Sequence, residues 1–219
     1  IITDFRYLEQ AKQEADGFEI IATGGSLFKK TSRLINRLPI KNIGFESHHL
    51  SVKELEIISD ATKKRLHPTF QIVEMQRTIK SDYERKLIKK SSLIARDALK
   101  EIACDLKKGA VEKDISARLD LLIRKNGADY PAFETIVASG PNASMPHAKA
   151  TARRIKESEP VIIDCGSRYS GYNSDLTRTL FVGKICKYFK LIYSIVETAQ
   201  DRAIRSIKPG RKISDIDKA

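Results

Sequence analysis

Two aspartates, Asp164 and Asp175, lie on the two arms of a predicted β-hairpin in the segment VIIDCGSRYSGYNSDLTRTLFVG, residues 161–183. A tight turn centred on residues 169–170 predicts an antiparallel register in which Asp164 faces Asp175 directly. Cβ atoms at such positions are about 4.5 to 5.5 Å apart, and facing like charges destabilise a sheet by up to about 1 kcal/mol. Because the apolar residues 161–163 indicate partial burial, the repulsion would be stronger still. The pair therefore needs something that compensates its charge.

Three arrangements are compatible with this pattern. A divalent cation would neutralise the carboxylates, since hard cations favour carboxylate oxygens and two carboxylates can bridge metal ions about 3.5 to 4 Å apart. A proton shared between the carboxyl groups, as in acidic dyads, is the second arrangement. In the third, a longer loop or a β-bulge at Gly171 moves one aspartate into solvent. Spacing alone leaves the three open.

Other residues capable of chemistry carry weaker signals. His147 follows Pro146, which favours an extended and accessible loop. A single loop histidine is more often an ordinary surface residue. The adjacent His48 and His49 match no motif and are predicted to lie in a solvated turn. Cys165 follows Asp164, so strand alternation predicts a packed thiol on the opposite face.

Composition narrows the class of protein. The chain has 219 residues, of which 41% are hydrophobic, enough for one or two folded domains. Its formal charge of +12 would suit a polyanion, but the basic residues fall in helical patterns that face solvent without interleaved aromatic residues. No apolar run approaches the length of about 18 residues that a membrane span requires. We therefore predict neither nucleic acid nor membrane as a partner.

The cysteines indicate the cellular compartment of the protein, and the first residue indicates whether the sequence is a piece of a longer chain. Three cysteines without C-x-x-C spacing indicate neither a disulfide framework nor a zinc knuckle, and a reducing cytoplasm is the predicted location. The chain begins with Ile1 instead of Met and lacks a signal-peptide pattern, so we expect it to be a piece of a longer protein.

Periodicity divides the chain into residues 1–75 and 76–219. The first region alternates short apolar runs with helical patterns, which is typical of an α/β unit. Its predicted elements are helices over 7–15 and 26–38, a helix that a capping box of Ser51 and Glu54 opens and that ends near His67-Pro68, and strands over 18–22, 43–45 and 70–73. In the second region a capping box of Ser81 and Glu84 opens a helix that runs to just before Gly109, and a helix over 112–125 is ended by Asn126-Gly127. These helices precede β-like segments at 133–138, 161–164, 169–172 and 176–182 and a helix over 189–207. This order predicts an α+β unit with a mainly antiparallel sheet.

The second region resembles a known family over a long stretch. The matching residues are FETIVASG (133–140), Asn142, Pro146-His147, DCG (164–166), Gly171-Tyr172, SDLTRT (174–179) and Gly183. They resemble the Xaa-Pro aminopeptidases and prolidases of the creatinase-like, pita-bread metallopeptidase family. The resemblance extends to residues 80–90, to the C-terminal IKPGRKISDIDKA and to the first 75 residues. It implies the N-terminal half of a pita-bread catalytic domain preceded by part of a creatinase-like N-terminal α/β domain.

The resemblance also assigns a site. It implies that Asp164 and Asp175 are two of five ligands of a paired divalent-metal centre, with Mn²⁺ or Co²⁺ as the expected ions, and that Asp175 contacts both. It places His147 on the substrate side. The family's remaining ligands, one histidine and two glutamates, lie further along, and no histidine follows His147 here. We therefore expect this chain alone to bind the ions weakly or not at all and to be inactive as an enzyme.

The implied activity is removal of the N-terminal residue from short peptides, preferentially before proline, by a homodimeric enzyme. A methionine aminopeptidase is the nearest enzymatic alternative, although the N-terminal α/β region and Pro146-His147 favour the Xaa-Pro branch. Pita-bread folds also occur as non-catalytic binding modules, so a binding protein or an inactive fragment is a third interpretation. Retention of both Asp164 and Asp175 argues against loss of the site at the family level.

Overall fold

A computed structural model describes residues 1–218 of the chain. The residues form two compact units, one spanning Ile1–Ile79 and the other beginning at Lys80. None of the helices within 1–218 is both long and apolar enough to cross a lipid bilayer.

The first unit alternates strands and helices, as the sequence predicts. Its elements are β1 (Ile2–Thr3), α1 (Leu8–Glu14), β2 (Ile21–Ala22), α2 (Leu27–Arg37), β3 (Asn42–Glu46), α3 (Val52–Ala61), β4 (Arg65–Thr69) and α4 (Ile72–Thr78). β1 pairs with β2, and β3 pairs with β4, both in parallel. The start of α3 carries the predicted capping box, in which the Ser51 hydroxyl accepts from the Glu54 amide and the Glu54 carboxylate accepts from the Ser51 amide.

Two predictions for the end of this unit are wrong. The helix that begins after Ser51 ends at Ala61 and does not reach His67-Pro68, which belong to β4. The segment 70–73, predicted as a strand, contains the turn into α4. Pairing with β3 explains the change, because each residue of β4 lies opposite one of β3, with Pro68 facing Phe45. An edge strand tolerates proline, so tertiary pairing overrides the helical pattern.

The second unit consists of helices and short strands. Its elements are α5 (Asp82–Ala103), α6 (Glu112–Lys125), β5 (Tyr130–Pro131), β6 (Ile136–Ser139), β7 (Pro160–Cys165), β8 (Ser167–Tyr169), β9 (Tyr172–Asn173), β10 (Leu176–Phe181), α7 (Lys187–Ser206) and α8 (Ile213–Asp217). The strands form two sheets of order β10-β7-β6 and β5-β8-β9. Every strand pair within the described part of this unit is antiparallel, which confirms the predicted sheet type.

Helix α5 is shorter than predicted. It begins at the expected capping box of Ser81 and Glu84, but it ends at Ala103 and does not continue to just before Gly109. The Asp105 amide donates to the Ile102 carbonyl, 2.9 Å away, which closes the last turn early. Gly109 then has a φ of +86° and donates its amide to the Ile155 carbonyl at 2.8 Å. The positive φ explains the glycine, which redirects the chain several residues after the helix has ended.

The core of the second unit lies between α5, α6 and one face of the β6–β7 pair. The fully buried side chains include Ile102 of α5, Leu119 and Ile123 of α6, and Val161 and Ile163 of β7. Along β7 the buried positions alternate with partly exposed ones. Asp164 lies between two buried residues and therefore points to the open face of the sheet.

A buried carboxylate joins the start of α6 to both ends of the segment 140–151. Glu112, the first residue of α6, has no solvent exposure. One oxygen accepts from the Ser139 amide and hydroxyl at 2.8 and 2.7 Å. The other accepts from the Thr151 amide and hydroxyl at 3.1 and 2.6 Å, and the Asn142 side-chain amide lies 3.1 to 3.2 Å from both oxygens. Such complete satisfaction is what makes a buried charge tolerable.

An ion pair extends this network. The two terminal nitrogens of the Arg153 guanidinium donate to the Glu159 carboxylate at 2.6 and 2.7 Å. One of them also donates to the Ser139 hydroxyl at 2.5 Å. Gly140 lies against the pair with a φ of +51°, and a Cβ there would stand 2.3 Å from the Glu159 carboxylate. Only glycine fits at this position, so the turn that leaves β6 is fixed by both sterics and charge.

Burial alone would raise the pKa of the Glu112 carboxyl, but the hydrogen bonds from Thr151 and Ser139 outweigh it and hold that pKa below its usual value. The unfolded chain binds a proton at about pH 4.3. Stability supplied by Glu112 is therefore present above that pH and is lost as the pH falls through the lower folded-state pKa.

We expect Glu112→Gln to lower the free energy of unfolding by about 3 kcal/mol near pH 7. The glutamine NH₂ group would face the N–H and O–H donors that now bind a carboxylate oxygen. The difference from the unsubstituted protein should shrink as the pH falls below about 4. Urea unfolding at several pH values measures it. Glu101→Gln, at an exposed glutamate of α5, is the matched control and should change little. A pH-independent loss in Glu112→Gln would contradict the assignment.

The burial of the thiols gives a second test of the fold. Cys104 and Cys186 are exposed, whereas Cys165 is completely buried, as the sequence predicts. A thiol reagent added to the native protein should therefore modify two cysteines rapidly and the third only after denaturation. Mass spectrometry of the digested product identifies the modified residues. Rapid native labelling of Cys165 would mean that β7 does not pack as described.

Candidate metal centre

The hairpin that carries the two aspartates has a different register from the predicted one. Its turn is formed by Ser170 and Gly171, both with positive φ, at +48° and +84°. Two such residues are the requirement of a type I′ hairpin turn. Tyr169 consequently faces Tyr172, one residue later than the predicted turn would allow.

This shift changes the partner of Asp164. In the β7–β10 pair Asp164 lies opposite Thr177, so the prediction that it faces Asp175 directly is wrong. Asp175 precedes Thr177 by two residues and is a diagonal neighbour of Asp164. Moving the turn by one residue moves every cross-strand partner by two, which keeps the same residues on the same face. Asp164 and Asp175 are therefore still neighbours on one face, although they are not a directly facing cross-strand pair.

The chain breaks its strand pattern beside both aspartates. Gly166 separates β7 from β8, and a Cβ at this glycine would lie 2.0 Å from the carbonyl oxygen of Ser174. Only a glycine permits this close approach of the two backbones. The hairpin is nevertheless continuous across the break, because the Ser174 amide donates to the Ser167 carbonyl at 2.9 Å. The crossing places Asp175 where the chain enters β10.

Asp164, Asp175 and His147 line one cavity of about 410 Å³. Phe133, Ile136 and Ala148 supply its apolar wall. Glu134 and Lys149 stand at the same cavity and form an ion pair 3.5 Å long. The structure thus brings together all three residues that the sequence singled out for the site.

Asp164 is oriented by a neighbour on the opposite strand. The Thr177 hydroxyl donates to Asp164 Oδ1 at 2.7 Å. Asp164 Oδ1 therefore accepts a hydrogen bond from the neighbouring strand, whereas Asp164 Oδ2 accepts none from the described residues. Partners of this kind fix the orientation of a metal-binding carboxylate.

His147 reaches the cavity from the segment held by Glu112. Its side chain is exposed, and the neighbouring Ala148 is buried, with its amide donating to the Met145 carbonyl at 3.2 Å. The ends of the segment are fixed at Ser139 and Thr151 by the Glu112 carboxylate. The position of His147 therefore depends on a carboxylate that does not itself line the cavity.

Cys165, beside Asp164, faces away from this cavity into the core. Burial raises the pKa of the Cys165 thiol to about 12, with a smaller contribution from the charge of Asp164. A neutral, packed thiol has no ligand or nucleophile chemistry to offer.

The donor set of the cavity suits hard divalent cations, because carboxylate oxygens are their preferred ligands. The open face of the sheet and the orientation of Asp164 by Thr177 fit such an ion. Within residues 1–218, however, no third His, Cys, Asp or Glu joins Asp164 and Asp175 at ligand spacing. The residues present therefore fit part of a paired-metal site.

Sequence reasoning missed two residues that shape this site, Glu112 and Thr177. Glu112 was predicted only as a helix start, and nothing local distinguishes it from other glutamates at helix N-termini. Its partners lie 27 to 39 residues away. Thr177 carried a weak signal, since it lies two residues after Asp175 and shares its face in a strand.

Comparison with known proteins agrees with this arrangement. Residues 86–219 match metallopeptidase family M24, and residues 1–79 match the creatinase/prolidase N-terminal domain. An uncharacterized peptidase of Bacillus subtilis is 40% identical over 213 residues, covering 95% of this chain and 60% of that protein. An Xaa-Pro dipeptidase of Pyrococcus horikoshii is 37% identical over 193 residues, covering 87% of this chain and 54% of its own length.

A solved structure shows the same fold. The Xaa-Pro dipeptidase from Bacillus anthracis superimposes with a TM-score of 0.91 and 37% identity, covering 96% of this chain and 59% of that one. The chain thus spans just over half the length of the relatives that it matches. The predicted fold, part of a pita-bread domain preceded by part of a creatinase-type N-terminal domain, is confirmed. The chain belongs to metallopeptidase family M24.

Proposed function

We propose that the chain is part of a metal-dependent aminopeptidase or dipeptidase that removes the N-terminal residue of short peptides, preferentially before proline. The observation that carries the proposal is the convergence of Asp164, Asp175 and His147 on one cavity in a chain of family M24. The names of two relatives support the proline preference, since the proteins from Pyrococcus horikoshii and Pyrococcus furiosus are named Xaa-Pro dipeptidases. A dipeptide or a short peptide with proline second is therefore the proposed substrate.

Asp164 and Asp175 are the proposed ligands of two divalent cations, with Mn²⁺ or Co²⁺ as the favoured ions. When bound, such ions supply an activated water and polarise the scissile carbonyl. Thr177 keeps the Asp164 carboxylate turned toward the cavity through the 2.7 Å hydrogen bond. His147 is exposed in the same cavity and can donate a ring N–H to the scissile carbonyl or to another carbonyl of the bound peptide.

In the protein translated from the whole gene, Asp175→Asn should lower kcat/KM on an Xaa-Pro dipeptide by at least about a thousandfold, because it removes a carboxylate from the proposed metal centre. Metal content by atomic emission should fall in parallel. Asp129→Asn, at an exposed aspartate outside the cavity, is the control and should retain activity. Full activity in Asp175→Asn would exclude the proposed site.

The substrate class is tested separately. Rates on matched Xaa-Pro and Met-Xaa peptides distinguish the proposed activity from that of a methionine aminopeptidase. If the protein binds its metal ions but prefers Met-Xaa peptides, the proposed metal site stands and the proposed Xaa-Pro substrate is wrong. No turnover of either by metal-loaded protein would favour a binding role.

We also propose that the protein is cytoplasmic and that the 219-residue chain associates as a homodimer. All three cysteines are free thiols, in keeping with a reducing compartment. Helix α7 has no buried side chain and exposes Tyr188, Leu191 and Ile195 at helical spacing, with 66%, 60% and 59% of each exposed. Apolar stripes of this kind favour association.

Light scattering of the 219-residue chain should therefore give at least the mass of a dimer. The double substitution Leu191→Lys and Ile195→Lys should shift the distribution toward monomer, since charge on the stripe opposes association. A monodisperse monomer before substitution would contradict the proposal.

A further inference from the structure

We propose that His48, His49 and Glu74 form a separate metal site in the first unit, one that takes Zn²⁺ or a similar borderline divalent ion. The site lies outside the cavity of Asp164 and Asp175 and uses different chemistry. Two imidazole nitrogens and one carboxylate oxygen match the donors of zinc and its neighbours, whereas Mg²⁺ and Ca²⁺ favour oxygen alone.

The three side chains converge on one point. His48 Nε2 lies 3.3 Å from Glu74 Oε1, and His49 Nε2 lies 3.5 Å from the same oxygen. One ligand atom from each residue falls within 4.8 Å of the other two. No other group of three His, Cys, Asp or Glu in the described part of the chain meets this spacing.

These separations match tetrahedral coordination. Zinc binds imidazole nitrogen and carboxylate oxygen at about 2.0 to 2.2 Å, so two ligand atoms of a tetrahedron lie about 3.3 to 3.6 Å apart. Both nitrogen-to-oxygen distances fall in that interval. Three protein ligands would leave a fourth position for water.

The backbone holds the two histidines in a fixed turn. Ser47 is tied to Thr69 by its amide at 3.1 Å and its hydroxyl at 3.0 Å. The amides of His49 and Leu50 both donate to the Glu46 carbonyl, at 3.2 and 3.1 Å. From this turn both histidine side chains reach the same oxygen of Glu74. The rings lie 4.4 Å apart at their centroids.

The opposite side of the site is also positioned. Phe70 packs edge-on against the His48 ring, with centroids 5.4 Å apart. Gln71 follows with a φ of +54° and turns the chain into α4, whose first turn carries Glu74. A metal ion would therefore tie the turn after β3 to the start of α4, two segments that are separated by 26 residues at His48 and Glu74.

The second carboxylate oxygen provides an independent reason for a ligand. Glu74 Oε2 is shielded from solvent and has no hydrogen-bond partner among the described residues. No other residue in the described part of the chain donates to this oxygen, while the Glu74 side chain is 35% exposed and its own backbone amide stabilises the carboxylate. A cation at Oε1 would stabilise the charge that both oxygens share. The alternative is a carboxylate that merely accepts from two imidazole N–H groups.

Zn²⁺ titration of the chain carrying Asp164→Asn and Asp175→Asn, monitored by competition with a chromogenic chelator, tests the site apart from the proposed catalytic one. We expect one Zn²⁺ per chain. His48→Gln, His49→Gln and Glu74→Gln should each weaken binding by about tenfold or more. His67→Gln is the matched control, because His67 is exposed in the same unit and contacts Asn42.

Two further measurements do not depend on the folding of the variants. Zn²⁺ should perturb the ring NMR signals of His48 and His49 but not those of His67, and Co²⁺ should give the visible absorption of a tetrahedral site. Mg²⁺ should produce neither effect. Absence of Zn²⁺ binding, binding by all three variants that is as tight as binding by the parent chain, or unperturbed rings of His48 and His49 would overturn the site. None of these results bears on peptidase activity.

Discussion

The buried carboxylate of Glu112 is the interaction on which the geometry of the second unit depends. It lies at the first residue of α6 and accepts hydrogen bonds from Ser139 and Thr151, at the two ends of the segment that carries His147, and from Asn142 within that segment. The α6 amides of Glu112 and Lys113 donate in turn to the carbonyls of Arg153 and Thr151. A helix start, the end of a strand and a long connection are thereby fixed to one charge. Removing that charge would leave several buried donors without acceptors.

The second constraint is the alternation along β7. Val161, Ile163 and Cys165 face the core, so Asp164 faces the open side of the sheet. The glycine at 166 allows the backbone of Ser174 to approach closely, which brings the chain across the break to Asp175. Thr177 then reaches back to Asp164. The same packing that stabilises the core thus places two carboxylates where water and ions have access.

Local signals in the sequence were enough for most elements and for the aspartate pair, whereas His147 was assigned to the cavity only through the family resemblance. Capping boxes at Ser51 and Ser81 mark their helix starts, and the Asn126-Gly127 pair marks the end of α6. Pairing between distant segments was not accessible in the same way. β4 forms because it pairs with β3, the hairpin register follows from which residues take positive φ, and Glu112 finds its partners only in the folded chain. His48 and His49 are exposed as predicted, but their convergence on Glu74 also depends on tertiary placement.

Anomalous diffraction from crystals of the Mn²⁺-loaded protein, expressed from its whole gene, would locate the ions. We expect a manganese peak at the carboxylates of Asp164 and Asp175, with Thr177 still bound to Asp164 and His147 facing the same cavity. Ordered Asp164 and Asp175 side chains without a peak beside them, while manganese occupies other residues, would contradict the proposed metal centre.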